Sequence, residues 1–261
     1  MQKHVISLGF EGFGDRLQCL SYCLSIAIKQ NRILCVNWRD RMWNDSFYRY
    51  FALVGVPYDR SVDFEGKSVF PAVWSALGDR HAEDWVYEIN HDRLEDRTED
   101  IIVHSRVGFR HYNFPQLARY LRIIVPTPFE RHKSFVHLRG TDRHGQSTDL
   151  KELGELAGPS AVVSDDPRLV EEWMKLSPDS DALSSGRPDL SPFHALAEDT
   201  FERNCRVIGD WLTIALAEKA YTNNKESLFF QTATFLGTPE MLLLDSEVES
   251  IKSISYLIRS A

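Results

Sequence analysis

The chain has 261 residues, 43% hydrophobic and 26% charged, which is enough to form one large or two small globular domains. Its formal net charge of −8 excludes a diffuse cationic surface for nucleic acid or anionic membranes, but it is compatible with a local basic pocket. The opening MQKHVISLGF has no apolar core of signal-peptide length, and no apolar run approaches the roughly 20 residues of a membrane span. We therefore expect a cytoplasmic protein without an integral membrane segment.

The first elements along the chain form a strand–helix–strand unit. HVISLGF (4–10) predicts a strand, and DRLQCLSYCLSIAIKQ (15–30) has the apolar period of an amphipathic helix. RILCVNW (32–38) predicts the second strand. A crossover helix between two strands indicates a βαβ unit, and therefore a parallel sheet.

The cysteines are interpreted as core residues. They are Cys19, Cys23, Cys35 and Cys205. No second Cys/His pair lies near the first two, as a zinc site would require. We therefore expect reduced thiols that pack as small apolar groups.

The middle of the chain is less regular. Residues 40–100 mix aromatic residues, prolines and charges, whereas DIIVHSRV (100–107) predicts a strand and FPQLARYLRIIV (114–125) a helix. The segment PTPFERHK (126–133) combines prolines with charges, which is typical of a domain boundary.

A second set of α/β elements follows the boundary. The predicted strands are SFVHLR (134–139), SAVVSDD (160–166), KAYTNN (219–224) and EMLLLD (240–245). The predicted helices are DPRLVEEWMKL (166–176), EDTFERNCRVIGDWLTIALA (198–217), KESLFFQTATFLG (225–237) and SEVESIKSISYLIRS (246–260). Two α/β halves of similar length result.

Charged residues collect at the end of the strand SFVHLR, namely His137, Arg139, Asp142 and Arg143. Ligands of open parallel sheets bind outside the carboxyl ends of the strands. The planar guanidinium of Arg139 suits phosphate oxygens. His137 can donate a hydrogen bond to a phosphate or a sugar hydroxyl, and Asp142 can orient Arg139. The alternative is a strand-end salt-bridge cluster without a ligand.

Two further polar segments follow predicted strands. In SDDP (164–167), Asp166 precedes a proline and is expected to cap the helix, which makes Asp165 the better ligand for a guanine edge. The polar turn YTNNKES (221–227) leads into a helix N-terminus that favours an anion, to which Ser227 adds a hydroxyl. An ordinary cap is the alternative for Ser227.

The glycine loop after the first strand does not fit a dinucleotide site. Gly9, Gly12 and Gly14 have the spacing G-x-x-G-x-G, and Asp15 begins the helix where a pyrophosphate would lie. A loop that lets a substrate approach the backbone fits better, with a plain βα turn as the alternative. No metal site is expected, because DSD (179–181) is interpreted as a solvated turn.

Four segments together resemble the fucosyltransferase superfamily. GFGDRLQCLSYCLSIAIKQNRILCVNWR (12–39) resembles the opening of rhizobial nodulation fucosyltransferases, and VHLRGTDR (136–143) resembles the H-x-R-x-x-D motif of α1,6-fucosyltransferases. VVSDDPRLVEEW (162–173) and GDWLTIALAEKAYTNNKESLFFQTATFLG (209–237) are similar to the two segments that follow that motif in the α1,6 group. The order of the four segments agrees along the chain.

The resemblance implies a GT-B-like α/β fold, with two Rossmann-like halves facing a cleft. It implies an acceptor-side domain at 1–130, a nucleotide-sugar-binding domain at 131–245, and a helix at 246–261 that packs back on the first domain. The implied reaction moves fucose from GDP-fucose to a hydroxyl of a glycan acceptor, with inversion and without a metal or another cofactor. The alternatives are another GDP-sugar, or a catalytically weak nucleotide-sugar-binding protein. The oligomeric state is left open.

The resemblance also assigns roles to individual residues. Arg139 would hold the β-phosphate, His137 and Asp165 would contact the guanosine end, and Asp142 would support the motif. Ser227 and its turn would cap the phosphates. The implied donor-binding set is His137, Arg139, Arg143, Asp165, Asp166, Thr222, Asn223, Ser227, Gly12 and Gly14. The implied catalytic set is Arg139, Asp142, Glu11 and Asp15.

Two departures from the α1,6 pattern concern the chemistry. Those enzymes carry a glutamate a few residues past the motif, where this chain reads RHGQSTD (143–149) with Ser147 near the position. Glu11, Asp15 and Asp149 are then the candidate bases. The motif also lacks a second cation, because Gly140 follows Arg139.

Aromatic residues between 43 and 58 have two interpretations. They are Trp43, Phe47, Tyr48, Tyr50 and Tyr58. They can stack on the sugar rings of an acceptor or pack in the core, and the core is the more common use of such side chains.

Overall fold

The structure is a computed structural model that describes residues 3–9, 12–39, 43–60, 68–70, 97–104, 113–127, 129, 131–140, 149–183 and 200–242. The chain divides into two compact units, Met1–Pro126 with Leu236–Ala261, and Thr127–Phe235. The sequence placed the corresponding boundaries at 130 and 245. The predicted helix at 246–260 lies outside the described residues, and the roles of the two halves stay predictions.

The first unit contains an open parallel sheet. Its strands and helices are His4–Leu8 (β1), Phe13–Gln30 (α1), Ile33–Asn37 (β2), Phe51–Leu53 (β3), Tyr58–Asp59 (β4), Val69–Phe70 (β5), Asp100–His104 (β6), Phe114–Tyr120 (α2) and Leu121–Ile123 (β7), with 3₁₀ turns at Phe47–Arg49 and Pro239–Leu242. The sheet order is β4-β2-β1-β6-β5, and every pairing in it is parallel. β1 lies at its centre, which explains why four of its five residues are buried.

The predicted βαβ unit is confirmed. α1 connects β1 to the adjacent parallel strand β2, and it ends where Asn31 adopts the left-handed conformation with φ of 49°. All four cysteines are free and buried, as the core interpretation expects. None of the helices in the described part of the chain combines the length and apolarity needed to cross a bilayer. The cytoplasmic location stays a prediction.

The helix predicted at 114–125 is wrong in its second half. α2 ends at Tyr120, and β7 pairs with β3 in an antiparallel ribbon. The alternation of buried Leu121, half-buried Arg122 and buried Ile123 fits a strand. Ile123 is β-branched, as are the next residues, and such side chains favour strands over helices.

The second unit contains another open parallel sheet. Its elements are Ser134–Leu138 (β8), Leu150–Ala157 (α3), Ala161–Ser164 (β9), Pro167–Leu176 (α4), Asp181–Ala182 (β10), Thr200–Leu216 (α5), Lys219–Thr222 (β11) and Leu228–Thr234 (α6). The sheet order is β10-β9-β8-β11, again entirely parallel. Val136, Leu138, Val162 and Trp173 form its fully buried core on the side of α3 and α4.

Two predictions for the second half of the chain need correction, and one helix was not predicted. α3 was not predicted, although Asp149 caps its first turn by accepting from the Lys151 amide. α6 begins at Leu228 and not at 225, because residues 224–226 form a side-chain-capped turn in which Asn224 Oδ1 accepts from the Glu226 amide. Of the strand predicted at 240–245, residues 240–242 belong instead to the 3₁₀ turn Pro239–Leu242, and residues 243–245 lie outside the described residues.

The aromatic residues around position 50 are mainly core residues. Trp43, Phe47, Tyr48 and Tyr50 are buried, whereas Tyr58 is 37% exposed. Trp38 lies at the centre of this cluster, and its ring centroid is 4.8 Å from that of Phe47. The core interpretation is therefore correct for the four buried rings.

The end of β8 packs closely on the start of α4. A Cβ atom at Gly140 would lie 2.7 Å from Asp166 Cβ and 2.7 Å from Leu169 Cδ1. Real Cβ contacts are longer than this, so a side chain at position 140 requires the start of α4 to move. The absence of a second cation after Arg139 thus has a steric reason.

We predict that Gly140→Ala lowers the free energy of unfolding by about 1–3 kcal/mol, because the methyl group overpacks this contact. Gly154→Ala is the matched control. A Cβ at Gly154, within α3, meets no atom within 4 Å, so the variant should be neutral or up to about 1 kcal/mol more stable. Urea unfolding followed by far-UV circular dichroism measures both. Equal effects of the two substitutions would contradict the packing described at Gly140.

Candidate functional site

The second sheet has a topological switch point between β8 and β11. The chain passes from β8 to β9 and then to β10 on one side, and β11 adds to the other side of β8. Because all four strands are parallel, the segments after β8, β9 and β11 leave the same edge of the sheet. In open α/β sheets, ligands bind at this edge, next to the switch point.

Predicted site residues of the second half lie at the carboxyl ends of these three strands or directly after them. His137 lies opposite Thr222 in the β8–β11 register, and Arg139 and Asn223 come directly after the two strands. Asp165 follows β9, and its Oδ1 accepts a hydrogen bond of 2.8 Å from the Gly140 amide. The sheet thus brings together five of the residues that the sequence predicts to bind a donor.

Asn223 holds the backbone of Arg139. Its Oδ1 accepts from the Arg139 amide at 2.8 Å, and its Nδ2 donates to the Arg139 carbonyl at 3.0 Å. The side chain is buried, with 1% exposure for the residue. Both polar atoms of the Asn223 amide therefore have backbone partners, and the side chain extends the strand pairing by one residue beyond β8.

His137 is a buried imidazole packed against aromatic rings of α6. Its ring centroid lies 5.6 Å from that of Phe229 and 6.2 Å from that of Phe230, with interplanar angles of 30° and 25°. Burial lowers its pKa from 6.5 to about 4, an effect that the Arg139 guanidinium reinforces and the Asp165 carboxylate opposes. The ring is therefore neutral at neutral pH.

Asp166 caps α4, as the sequence predicts. Its Oδ1 accepts from the Arg168 amide at 2.9 Å, and its Oδ2 accepts from the Arg168 guanidinium at 2.8 Å. The carboxylate is buried, while the Arg168 side chain is 69% exposed. These contacts explain the position of Asp166 without a ligand, and its role in donor binding stays a prediction.

The turn before α6 is held by its own side chains. The Thr222 hydroxyl contacts both backbone polar groups of Asn224, and Ser227 caps α6 by accepting from the Phe230 amide at 3.5 Å. α6 has only seven residues. The capping role of Ser227 is thus confirmed, and its contact with phosphates stays a prediction.

Three of the predicted residues of the first half lie together at the start of α1. Gly12 is the N-cap of α1, Gly14 is buried in the first turn, and Asp15 is the acidic residue of that turn. A Cβ at Gly12 would lie 3.2 Å from Asp15 Oδ2. The predicted residues Glu11, Asp142 and Arg143 lie outside the described part of the chain.

Sequence reasoning missed three residues next to the predicted ones. Phe229 and Phe230 pack on His137, and only the apolar pair in KESLFF signalled a buried face. In the first unit, Arg16 is 1% exposed, donates to the Gly9 carbonyl at 2.9 Å and lies 5.8 Å from the Trp38 ring. A charged residue next to Asp15 gave no sign of burial.

The solved structures that share the fold of this chain include three of the fucosyltransferase NodZ. A NodZ alpha-1,6-fucosyltransferase co-crystallized with GDP matches with a TM-score of 0.57 and 18% identity, over 90% of this chain and 93% of that chain. A NodZ alpha-1,6-fucosyltransferase structure soaked with GDP-fucose matches with a TM-score of 0.59 and 16% identity, over 93% of each chain. A structure of the fucosyltransferase NodZ from Bradyrhizobium matches with a TM-score of 0.59 and 17% identity, over 90% of this chain and 92% of that chain.

The chain has a fucosyltransferase-like fold. The expected α/β architecture of the GT-B type is therefore confirmed, and the resemblance is confirmed at the level of the fold. No family model matches the sequence, and no curated protein matches it either. The switch point of the second sheet is the candidate ligand site of this fold.

We predict that Asn223→Ala destabilises the protein by about 1–3 kcal/mol, because it leaves the Arg139 amide and carbonyl without their partner. Asn113→Ala is the control. Asn113 is exposed and its side chain makes no capping bond, so the change should stay within about 0.5 kcal/mol. Chemical unfolding of both variants measures the difference. If Asn223→Ala lowers the free energy of unfolding no more than Asn113→Ala does, the two hydrogen bonds of the Asn223 side chain contribute nothing to stability.

The depressed pKa of His137 predicts a loss of stability in acid. The unfolded side chain binds a proton near pH 6.5, whereas the folded one resists protonation until its pKa of about 4. This contribution of His137 to the free energy of unfolding is roughly 3 kcal/mol. It is fully present above pH 6.5 and is lost as the pH falls toward 4. In His137→Gln the corresponding part of the pH dependence should vanish. A stability difference between wild type and variant that is constant from pH 7 to pH 4 would contradict the prediction.

Proposed function

We propose that the protein is an inverting glycosyltransferase that moves fucose from GDP-fucose to a hydroxyl of a glycan acceptor. The supporting observation is the convergence of His137, Arg139 and Asp165 at the switch point of the second sheet. The chain shares its fold with a NodZ fucosyltransferase that was co-crystallized with GDP. We also propose that this transfer reaction requires no metal ion.

The proposed role of Arg139 follows from its charge and its fixed backbone. As the bond to fucose breaks, negative charge grows on the departing diphosphate. A guanidinium on a backbone that Asn223 holds by two hydrogen bonds can meet that charge with little reorganisation. Stabilisation that grows as the reaction proceeds lowers the barrier and not only the binding energy.

The proposed roles at the guanosine end follow from burial. His137 is neutral and packed against two phenyl rings, an environment that suits an uncharged partner and disfavours a phosphate. The Asp165 carboxylate is anchored through the Gly140 amide, and a carboxylate there can accept a pair of N–H groups from guanine.

The acceptor half of the reaction needs a base. The acceptor hydroxyl attacks the face of the sugar opposite the diphosphate, and a carboxylate takes its proton late in the reaction. Glu11 and Asp15 are the proposed candidates. Asp149, the third carboxylate considered, already accepts from the Lys151 amide at the N-cap of α3. This contact gives Asp149 a structural role.

The donor is tested by ligand-induced shifts of the melting temperature. GDP, GDP-fucose and GDP-mannose should stabilise the folded protein, because a ligand that binds only the native state raises its apparent stability. UDP and UDP-sugars are the comparison. Stabilisation by the UDP compounds alone would contradict the donor assignment. Stabilisation and turnover by GDP-mannose but not GDP-fucose would favour the alternative GDP-sugar.

We predict that Arg139→Ala lowers kcat/KM for sugar transfer by about 10²–10³-fold, because the departing diphosphate loses its cationic partner. A donor-and-acceptor screen that follows the release of GDP measures the loss. Arg139→Lys should recover only part, since an ammonium lacks the planar fork. Arg131→Ala is the control, because Arg131 is an exposed arginine of the same unit. Normal turnover in Arg139→Ala would overturn the site assignment. GDP binding without turnover by the wild type would favour the binding-protein alternative.

A further inference from the structure

The hydroxyl of Thr222 has three hydrogen-bond partners in the described structure. It lies 3.1 Å from the Asn224 amide nitrogen, 3.3 Å from the Asn224 carbonyl oxygen and 3.4 Å from Nδ1 of His137. A threonine hydroxyl has one proton to donate and two lone pairs to accept with. The three contacts therefore use its full capacity.

The proton positions follow from what each partner can do. The Asn224 amide can only donate and the Asn224 carbonyl can only accept, so the hydroxyl proton goes to the carbonyl. Nδ1 of His137 must then donate to the hydroxyl oxygen. The reverse assignment, with the hydroxyl proton on Nδ1, leaves the contact with the carbonyl without a proton.

The remaining surroundings of the ring agree with a single neutral form. Phe229 and Phe230 offer only aromatic faces, and within the described residues Nδ1 makes the one hydrogen bond of the imidazole. The charged groups that act on the ring are Asp165, after β9, and Arg139, on its own strand segment. With the proton on Nδ1, the other nitrogen, Nε2, carries a lone pair.

We propose that Thr222 is a positioning residue that holds the single proton of the His137 ring on Nδ1, so that Nε2 accepts a hydrogen bond from an O–H or N–H group of the nucleoside. The nucleoside half of this inference rests on the proposed function. A phosphate oxygen brings no proton to Nε2 at neutral pH, so His137 does not serve the phosphates. This revises the sequence-based expectation that His137 donates, and it moves Thr222 from direct donor binding to the support of His137.

The tautomer is tested on the full chain without a ligand. Long-range ¹H–¹⁵N spectra of ¹⁵N-histidine protein at pH 7 distinguish the two neutral tautomers, and the loss of one of the nine histidine patterns in His137→Asn assigns His137. The wild type should show the Nδ1–H form. Thr222→Val should shift the population to the Nε2–H form, and Thr222→Ser should restore it. A wild-type Nε2–H form, or a Thr222→Val spectrum like that of the wild type, overturns the inference.

The role of Nε2 is tested with two probes, GDP and inorganic diphosphate, by titration calorimetry at pH 7. Thr222→Val should weaken GDP about tenfold, the value of one hydrogen bond, and at least fivefold more than it weakens diphosphate. Thr222→Ser should keep most of the GDP affinity. Equal losses for both probes overturn the nucleoside contact.

The two proposals fail in different ways. If GDP binds but the tautomer is Nε2–H, the proposed function stands and the inference about Thr222 is wrong. If the tautomer is Nδ1–H but neither GDP nor diphosphate binds, the ligand assignment falls together with the proposed function. Spectra of the backbone amides in each variant establish that the fold is retained.

Discussion

The pairing of β11 with β8 covers four residue positions, from Lys219–Ser134 to Thr222–His137, and the Asn223 side chain extends it to Arg139. On the other side of β8, Asp165 holds the next amide, that of Gly140. The peptide that leaves β8 is thus bound by the residues that follow both of its neighbouring strands. Arg139 can point a charge at a ligand from a fixed backbone because these two polar side chains bind backbone atoms.

This arrangement divides the polar residues at the strand ends into two kinds. Asn223, Thr222 and Asp166 have their hydrogen-bonding groups engaged within the protein. These contacts order the neighbouring residues, and direct donor binding by the three residues stays a prediction. A catalytic constellation needs such support, since small errors in the position of a charged group weaken its effect on a transition state.

The sequence was sufficient wherever the determining interactions are local. The βαβ unit followed from period and composition, and the cap at Asp166 followed from the Asp-Pro pair. β7 was missed because its partner β3 is distant in the chain, and pairing overrode the helical pattern of the preceding turn. The hydrogen bonds of the Asn223 side chain to Arg139 join residues 84 positions apart, so no local pattern can reveal them. In the same way, the steric limit at Gly140 depends on α4 and not on its own neighbours.

The close contact at Gly140 also restricts the order in which mutations can accumulate. A second cation beside Arg139 requires only one substitution, at Gly140. The Cβ atom of the new residue would, however, meet both Asp166 and Leu169. Trimming Leu169 first opens a gap beside Trp173 and its core, and replacing Asp166 removes the cap of α4. Each single step is unfavourable before the others are in place. Introduction of a cation at position 140 is therefore an epistatic path, and directed evolution would need coupled libraries at positions 140, 166 and 169 to follow it.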